Sequence, residues 1–144
     1  VILVDSNVLI ALASPRDRLH AQAVGDLRRL AGRDLFLASP VLTEVFFALP
    51  AAHMRARLTD LIHDLDIRPL PIENEGQLWR DTFDWLARYA EHVPDFADGL
   101  LAVASARDPR WKVWTYDAEF RTLWRRPDGS RIPLAVRPPS ATPA

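Results

Sequence analysis

Five acidic residues stand at places in this chain where a carboxylate could do chemistry. Asp5 ends the apolar run VILV and is followed by Ser6 and Asn7; Asp117 ends KVWTYD, with Thr115 just before it. Glu44 lies about one turn into SPVLTEVFFAL, and Asp95 and Asp98 open DFADGLLAVASA three residues apart, on one helical face. Brought together, each like-charged pair at about 4 Å would repel by roughly 4 kcal/mol at an effective dielectric near 20. Raised pKa values relieve such a conflict, and a divalent cation removes it. Mg²⁺ and Mn²⁺ suit oxygen-only donors and need only one or two carboxylates each. Taken singly, the same residues have plainer uses. Asp5 and Asp95 are good helix N-caps, Asp117 could begin a turn, and Glu44 could be a solvated helix residue. Its neighbours Val41, Leu42, Val45 and Phe46 argue instead that Glu44 is at least half-buried.

Other chemistries fit less well. The chain has no cysteine, which excludes a disulfide framework, a thiolate zinc site and a cysteine nucleophile. His20, His53, His63 and His92 are scattered over expected helix surfaces, without triad order or metal-ligand spacing, and are expected to face solvent. AGRD and PDGSR read as turns rather than phosphate-binding loops. The five tryptophans are mostly core candidates, with Trp85 and Trp124 the two expected to reach the surface.

The elements that must position the acids alternate in type. Val1–Val4 is a continuous, β-branched run suited to a strand buried on both faces, and Asn7–Ala13 reads as a short helix. Leu19, Ala23, Leu27 and Leu30 give the next helix its stripe, with Gly32 as its stop. Leu35–Ala38 is a second strand. Ser39 as N-cap and Pro40 at the first helical position open the third helix, and a longer helix follows with Met54, Leu58, Leu61, Ile62 and Leu65 on one stripe. Pro69 and Pro71 confine Ile67–Ile72 to an edge strand or an extended link. Glu73–His92 is expected to be helical, facing the core with Leu78, Trp79, Phe83, Leu86 and Tyr89. After DFADGLLAVASA come the strand KVWTYD, the short helix AEFRTLW, the turn RPDGSR and a last strand, IPLAV. Strands alternating with helices imply an α/β domain with a parallel sheet of four to five short strands and helices on both faces. Ligands bind such sheets beyond the carboxyl ends of the strands, which is where Asp5 and Asp117 fall.

A chain of 144 residues suits one domain, read here as residues 1–136 with a disordered tail over 137–144. No apolar stretch approaches the roughly 20 residues of a membrane span. The opening residues read as core strand rather than leader, so a cytoplasmic protein is expected. The net charge of −1 hides an acidic body, at −5 up to residue 106, and a basic remainder at +4. Arg121, Arg125 and Arg126 follow Asp117 closely enough to flank a groove that admits a polyanion.

The segments VILVDSNVLI, SPVLTEVFFAL, DFADGLLAVASA and VWTYDAEF, in that order, resemble the four signature segments of PIN-domain nucleases, and most of all the VapC-type toxins of bacterial toxin–antitoxin pairs. The resemblance spans Val1 to about Val136. It implies a three-layer α-β-α domain and a Mg²⁺- or Mn²⁺-dependent endoribonuclease in which metal-activated water cleaves RNA phosphodiesters. The family's metal-binding, catalytic acids carry over to Asp5, Glu44, Asp98 and Asp117. Its supporting polar residues carry over to Ser6, Asn7 and Thr115, and Asp95 is an acid that some members add. The resemblance also implies RNA as substrate, a cognate antitoxin as partner and a homodimer. Phe46 and Phe47 are adjacent on a helix and cannot both face inward, so one is a candidate for a partner surface. The alternative reading is a PIN-fold module that binds RNA or protein without cutting.

Overall fold

Ile2–Val4 forms β1, and its three side chains are each only 1% exposed. Because successive strand residues point to opposite faces, both faces of β1 must be covered. The computed structural model describes residues 1–139, and within them β1 lies inside a four-stranded parallel sheet. Leu35–Leu37 is β2, Arg68–Pro69 is β3 and Lys112–Trp114 is β4, in the order β3-β2-β1-β4. The register sets Ile2 beside Leu35 and Lys112, and Val4 beside Trp114. Parallel neighbours need crossovers, and helices supply them. These are α1 (Ser6–Ala13), α2 (His20–Arg29), α3 (Ser39–Ala48), α4 (Ala52–Asp64), α5 (Glu75–Arg88), α6 (Phe96–Ser105) and α7 (Glu119–Thr122). The expected α/β domain is present, with β3 as the proline-containing edge strand. No helix among the described residues is long and apolar enough to cross a membrane.

Several local expectations are corrected. IPLAV does not form a fifth strand: it touches β4 through a single parallel bridge, Val113 to Leu134, framed by hydrogen bonds of 2.8 and 2.9 Å. Ser39 lies inside α3 rather than capping it; Ala38 is the N-cap and makes no side-chain bond. The segment Glu73–His92 divides into α5 and a 3-10 turn, Ala90–His92, and α5 starts behind Asn74. Asn74 takes the left-handed conformation at φ 52° and accepts the Gln77 amide on its side chain at 3.1 Å. Of the expected tail, Pro138 is buried, and residues 140–144 lie outside the described residues.

The face of α5 is also turned from the expected one. Leu78, Thr82 and Trp85 are buried, whereas Trp79 and Phe83 are 50% and 54% exposed. Thr82 tolerates burial because its hydroxyl donates to the Leu78 carbonyl at 2.7 Å. Trp85 and Trp124, expected near the surface, are core residues. Trp85 Nε1 donates to the Arg125 carbonyl at 2.7 Å, and the rings of Trp85, Tyr89 and Trp124 lie 4.5–5.3 Å apart in tilted and edge-on pairs. Against this cluster α6 presents Gly99. A Cβ there would stand 3.0 Å from Trp85 and 3.1 Å from Thr82, so a larger residue requires those side chains to shift.

Candidate active site

β1 and β4 run parallel and in register, so the residues that follow them leave the same edge of the sheet. The Asp5 amide donates to the Trp114 carbonyl at 2.9 Å. Beyond that bond a polar lattice takes over. Asp5 Oδ1 accepts the Ser6 amide at 2.7 Å, making Asp5 the N-cap of α1, while Oδ2 accepts the Thr115 hydroxyl at 2.7 Å. Asn7 Nδ2 donates to Thr115 Oγ1 at 3.2 Å, and Asn7 Oδ1 accepts the Tyr116 amide at 3.0 Å. The Asp117 amide donates to Thr115 Oγ1 at 3.1 Å, and Asp117 Oδ1 caps the next turn by accepting the Glu119 amide at 2.9 Å. Ser6, Asn7 and Thr115 thus hold Asp5 and the approach to Asp117 in fixed positions.

Two helices bring the remaining acids over this edge. Glu44 is half-buried on α3. On α6, Asp95 is the N-cap and Asp98 lies in the first turn, and the two form a reciprocal capping box. Asp98 N donates to Asp95 Oδ1 at 3.0 Å, and Asp95 N donates to Asp98 Oδ2 at 3.3 Å. Asp95 is exposed and Asp98 half-buried.

Crowding shows in the ionisation of these groups. Burial pushes the Asp5 carboxyl up to about 6, the hydrogen bonds from Thr115 and Ser6 oppose it, and the charges of Asp117 and Asp95 add to the rise. Burial and the Asp95 charge raise Glu44 above the ordinary glutamate range, with a smaller push from Asp5. Asp98 rises for the same reasons, in the same order. Asp5 is therefore within electrostatic reach of acids from three other segments: Glu44, Asp95 with Asp98, and Asp117. Among the described residues, no three acids or histidines stand in a group already shaped to hold an ion. Asp5, Asp95 and Asp98 each engage an oxygen in a capping bond to a backbone amide. The donor set nevertheless fits a hard divalent cation: carboxylates with a hydroxyl and an amide beside them, and neither sulfur nor imidazole.

The sequence matches no family model and no curated protein. Among solved structures, the crystal structure of Mycobacterium tuberculosis VapC20, a sarcin-ricin loop cleaving toxin, is similar at a TM-score of 0.67. The likeness covers 85% of this chain and 94% of that chain at 21% sequence identity. The chain has a PIN-like fold. In that PIN-like fold the acids lie beyond the carboxyl edge of the sheet, where parallel α/β sheets form their sites.

The basic residues separate into different roles. Arg126 Nη2 donates to the Ser105 carbonyl at 2.7 Å, at the far end of α6, about 10 Å along the helix from Asp98. Its guanidinium closes α6 rather than flanking the acids. Arg125 Nη1 turns back to the carbonyls of Trp124 and Arg121 at 3.0 and 3.4 Å. Arg121 is half-buried, and its Nε has no hydrogen-bond partner among the described residues. His20 is not solvent-facing as expected: its Nδ1 lies 2.7 Å from the Ala11 carbonyl, between α1 and α2. His53, His63 and His92 are exposed. Of the two phenylalanines on α3, Phe47 faces outward at 81% exposure, while Phe46 is half-buried beneath the Arg55 guanidinium, 5.6 Å from its ring centre.

Sequence reasoning missed Tyr116 and Asp26. Their side chains meet inside the protein at 2.7 Å, and the one available signal was an acid at position 26 beside the apolar stripe of Ala23 and Leu30.

Proposed function

We propose that this protein is a divalent-metal-dependent endoribonuclease and the toxin of a toxin–antitoxin pair. The observation that supports this reading most is the gathering of Asp5, Glu44, Asp98 and Asp117 at one sheet edge, where burial and like charge raise three of them. Mg²⁺ or Mn²⁺ would be held by these four acids, with Asp5 the most deeply placed. What such a cation supplies is Lewis acidity toward phosphoryl oxygens and an acidified water as nucleophile. The chain's own residues supply the rest. Thr115 and Ser6 orient the two oxygens of Asp5, Asn7 ties β1 to the segment after β4, and Asp95 fixes the first turn of α6 that carries Asp98. No histidine base is required, in keeping with the exposed positions of His53, His63 and His92. Arg121 and Arg125, just beyond Asp117, are the proposed contacts for the RNA backbone. VapC20 is a sarcin-ricin loop cleaving toxin with the same fold, which supports RNA as the substrate and an antitoxin as partner. The outward Phe47 suits a protein partner, a homodimer mate included.

Asp5→Asn decides the reading. The amide keeps the shape and removes the charge that would hold a cation, so RNA cleavage in Mg²⁺ or Mn²⁺ is expected to fall to background with an unchanged circular dichroism spectrum. Cleavage by Asp5→Asn at the wild-type rate would refute the assignment. Sequencing the 5′ ends of RNA fragments after induction identifies the target.

A further inference from the structure

Tyr116 sits between Thr115 and Asp117, and its side chain points the other way. The phenol shares a face with Trp114, whose Nε1 donates to the Tyr116 hydroxyl at 3.2 Å. That hydroxyl donates in turn to Asp26 Oδ2 at 2.7 Å, a bond buried between the end of β4 and helix α2. Asp26 is 2% exposed, and its other oxygen lies 3.6 Å from the Arg29 guanidinium. Burial of this acid is made tolerable by the phenol's hydrogen bond and the nearby guanidinium, so the pair holds together as a unit. Nothing in the proposed reaction uses it directly.

We propose that Asp26 and Tyr116 are positioning residues, an anchor that holds the Thr115–Asp117 segment at the angle the acids of the site require. The inference rests on the metal-dependent reading of that site. The segment leaving β4 carries Thr115, which orients Asp5, and Asp117, and both backbone amides after Thr115 are bonded within the site. Those bonds fix the segment only on the active-site side. The hydrogen bond from Tyr116 to Asp26 fixes it from behind, to a helix that contributes no acid to the cluster. The phenol oxygen accepts from Trp114 Nε1 at 3.2 Å while its O–H is directed at Asp26 Oδ2 at 2.7 Å, so both sides of the hydroxyl are engaged. Residues that orient a ligand from outside a metal site commonly change affinity or activity by about 10- to 100-fold when removed.

The test is Tyr116→Phe, which keeps the ring and its packing and deletes only the hydroxyl. Asp26→Ala removes the same anchor from the α2 side, and Asp26→Asn restores an acceptor. Three readouts are compared: hydrogen exchange of the Tyr116 and Asp117 amides in metal-free protein, Mn²⁺ affinity by calorimetry, and kcat and KM for RNA cleavage. In Tyr116→Phe and Asp26→Ala the two amides are expected to exchange at least about tenfold faster. Mn²⁺ binding weakens and kcat falls by a similar factor, KM stays within about twofold, and Asp26→Asn recovers most of each. Ile67→Val, a mild core deletion beside β3, serves as a control for lost stability and leaves all three unchanged. Wild-type exchange, Mn²⁺ affinity and kcat in both anchor variants would overturn the proposal. A wild-type protein that neither binds Mn²⁺ nor cuts RNA would remove the metal-dependent reading instead, and the exchange rates would then decide the anchor alone.

Discussion

Asp95 and Asp98 occupy one turn of α6, and their bonds separate their duties. Asp95 spends an oxygen on the Asp98 amide at 3.0 Å, a cap that asparagine performs as well as aspartate. Asp95→Asn is therefore expected to melt within about 0.5 kcal/mol of wild type, where Asp95→Ala costs about 1 kcal/mol. The Asp95 charge is the largest electrostatic push on both Glu44 and Asp98 after burial, so its removal also lets those carboxyls ionise more readily. Cleavage in Asp95→Asn should stay within about tenfold of wild type, because the amide still fixes the turn. Asp98→Asn is expected to lose cleavage altogether. Activity assays and melts on the two variants check this, and an essential Asp95 beside a dispensable Asp98 would reverse the assignment.

At the scale of elements, α6 carries Asp98 only because α5 lets it come close. Gly99 follows that acid directly, and an added methyl group would meet Trp85, Thr82 and Leu86 at 3.0–3.3 Å. Alanine at this position gains about 1 kcal/mol of helix propensity, but overpacking of this kind costs about 1–3 kcal/mol. Gly99→Ala is expected to lower the denaturant midpoint, and to reduce cleavage as α6 is pushed off its seat; a midpoint above wild type would show that α5 yields instead. Helix α7 and the residues just after it invite a different test. Arg121 and Arg125 are expected to contact the RNA backbone, and each lost phosphate contact flattens the salt dependence by roughly 0.7 per charge for a single strand. Arg121→Ala with Arg125→Ala should raise KM for RNA more than it lowers kcat. An unchanged KM and salt slope would assign both guanidinium groups to the fold, as Arg126 already is.

For the molecule as a whole, the acid cluster couples stability to pH and to cations. Asp5 titrates near 6 in the folded protein against about 4 in an unfolded chain, and Glu44 and Asp98 are raised as well. Between those values the folded state holds protons that the unfolded state has released. Stability is therefore greatest below the unfolded pKa and falls as pH rises through the folded ones. For Asp5 alone, a shift of this size is of the order of 3 kcal/mol. Protein treated with EDTA should melt several degrees lower at pH 8 than at pH 5. Millimolar Mg²⁺ should close most of that gap, because a cation binds the folded cluster only. Calorimetric melts at both pH values, with and without Mg²⁺, measure this; a flat profile that Mg²⁺ does not move would count against the cluster.

Much of this architecture could be read from local pattern. A run such as VILV is apolar at every position because both faces of β1 are covered, and Asp5 and Asp117 fall beyond one edge because β1 and β4, which they follow, run parallel and in register. The resemblance carried by DSN, TEV, DFAD and TYD points to the fold found. What tertiary structure alone decided depends on partners distant in sequence. The face of α5 was misjudged because Thr82 looks polar while its hydroxyl is satisfied within its own helix, and because Trp85 finds its acceptor at Arg125, 40 positions away. IPLAV has the composition of a strand, yet only one of its residues bridges to β4. Asp26 and Tyr116 are separated by 90 positions and meet only when α2 packs against the end of β4. Periodicity reports which residues avoid water; which buried polar groups find each other is set by how the elements pack.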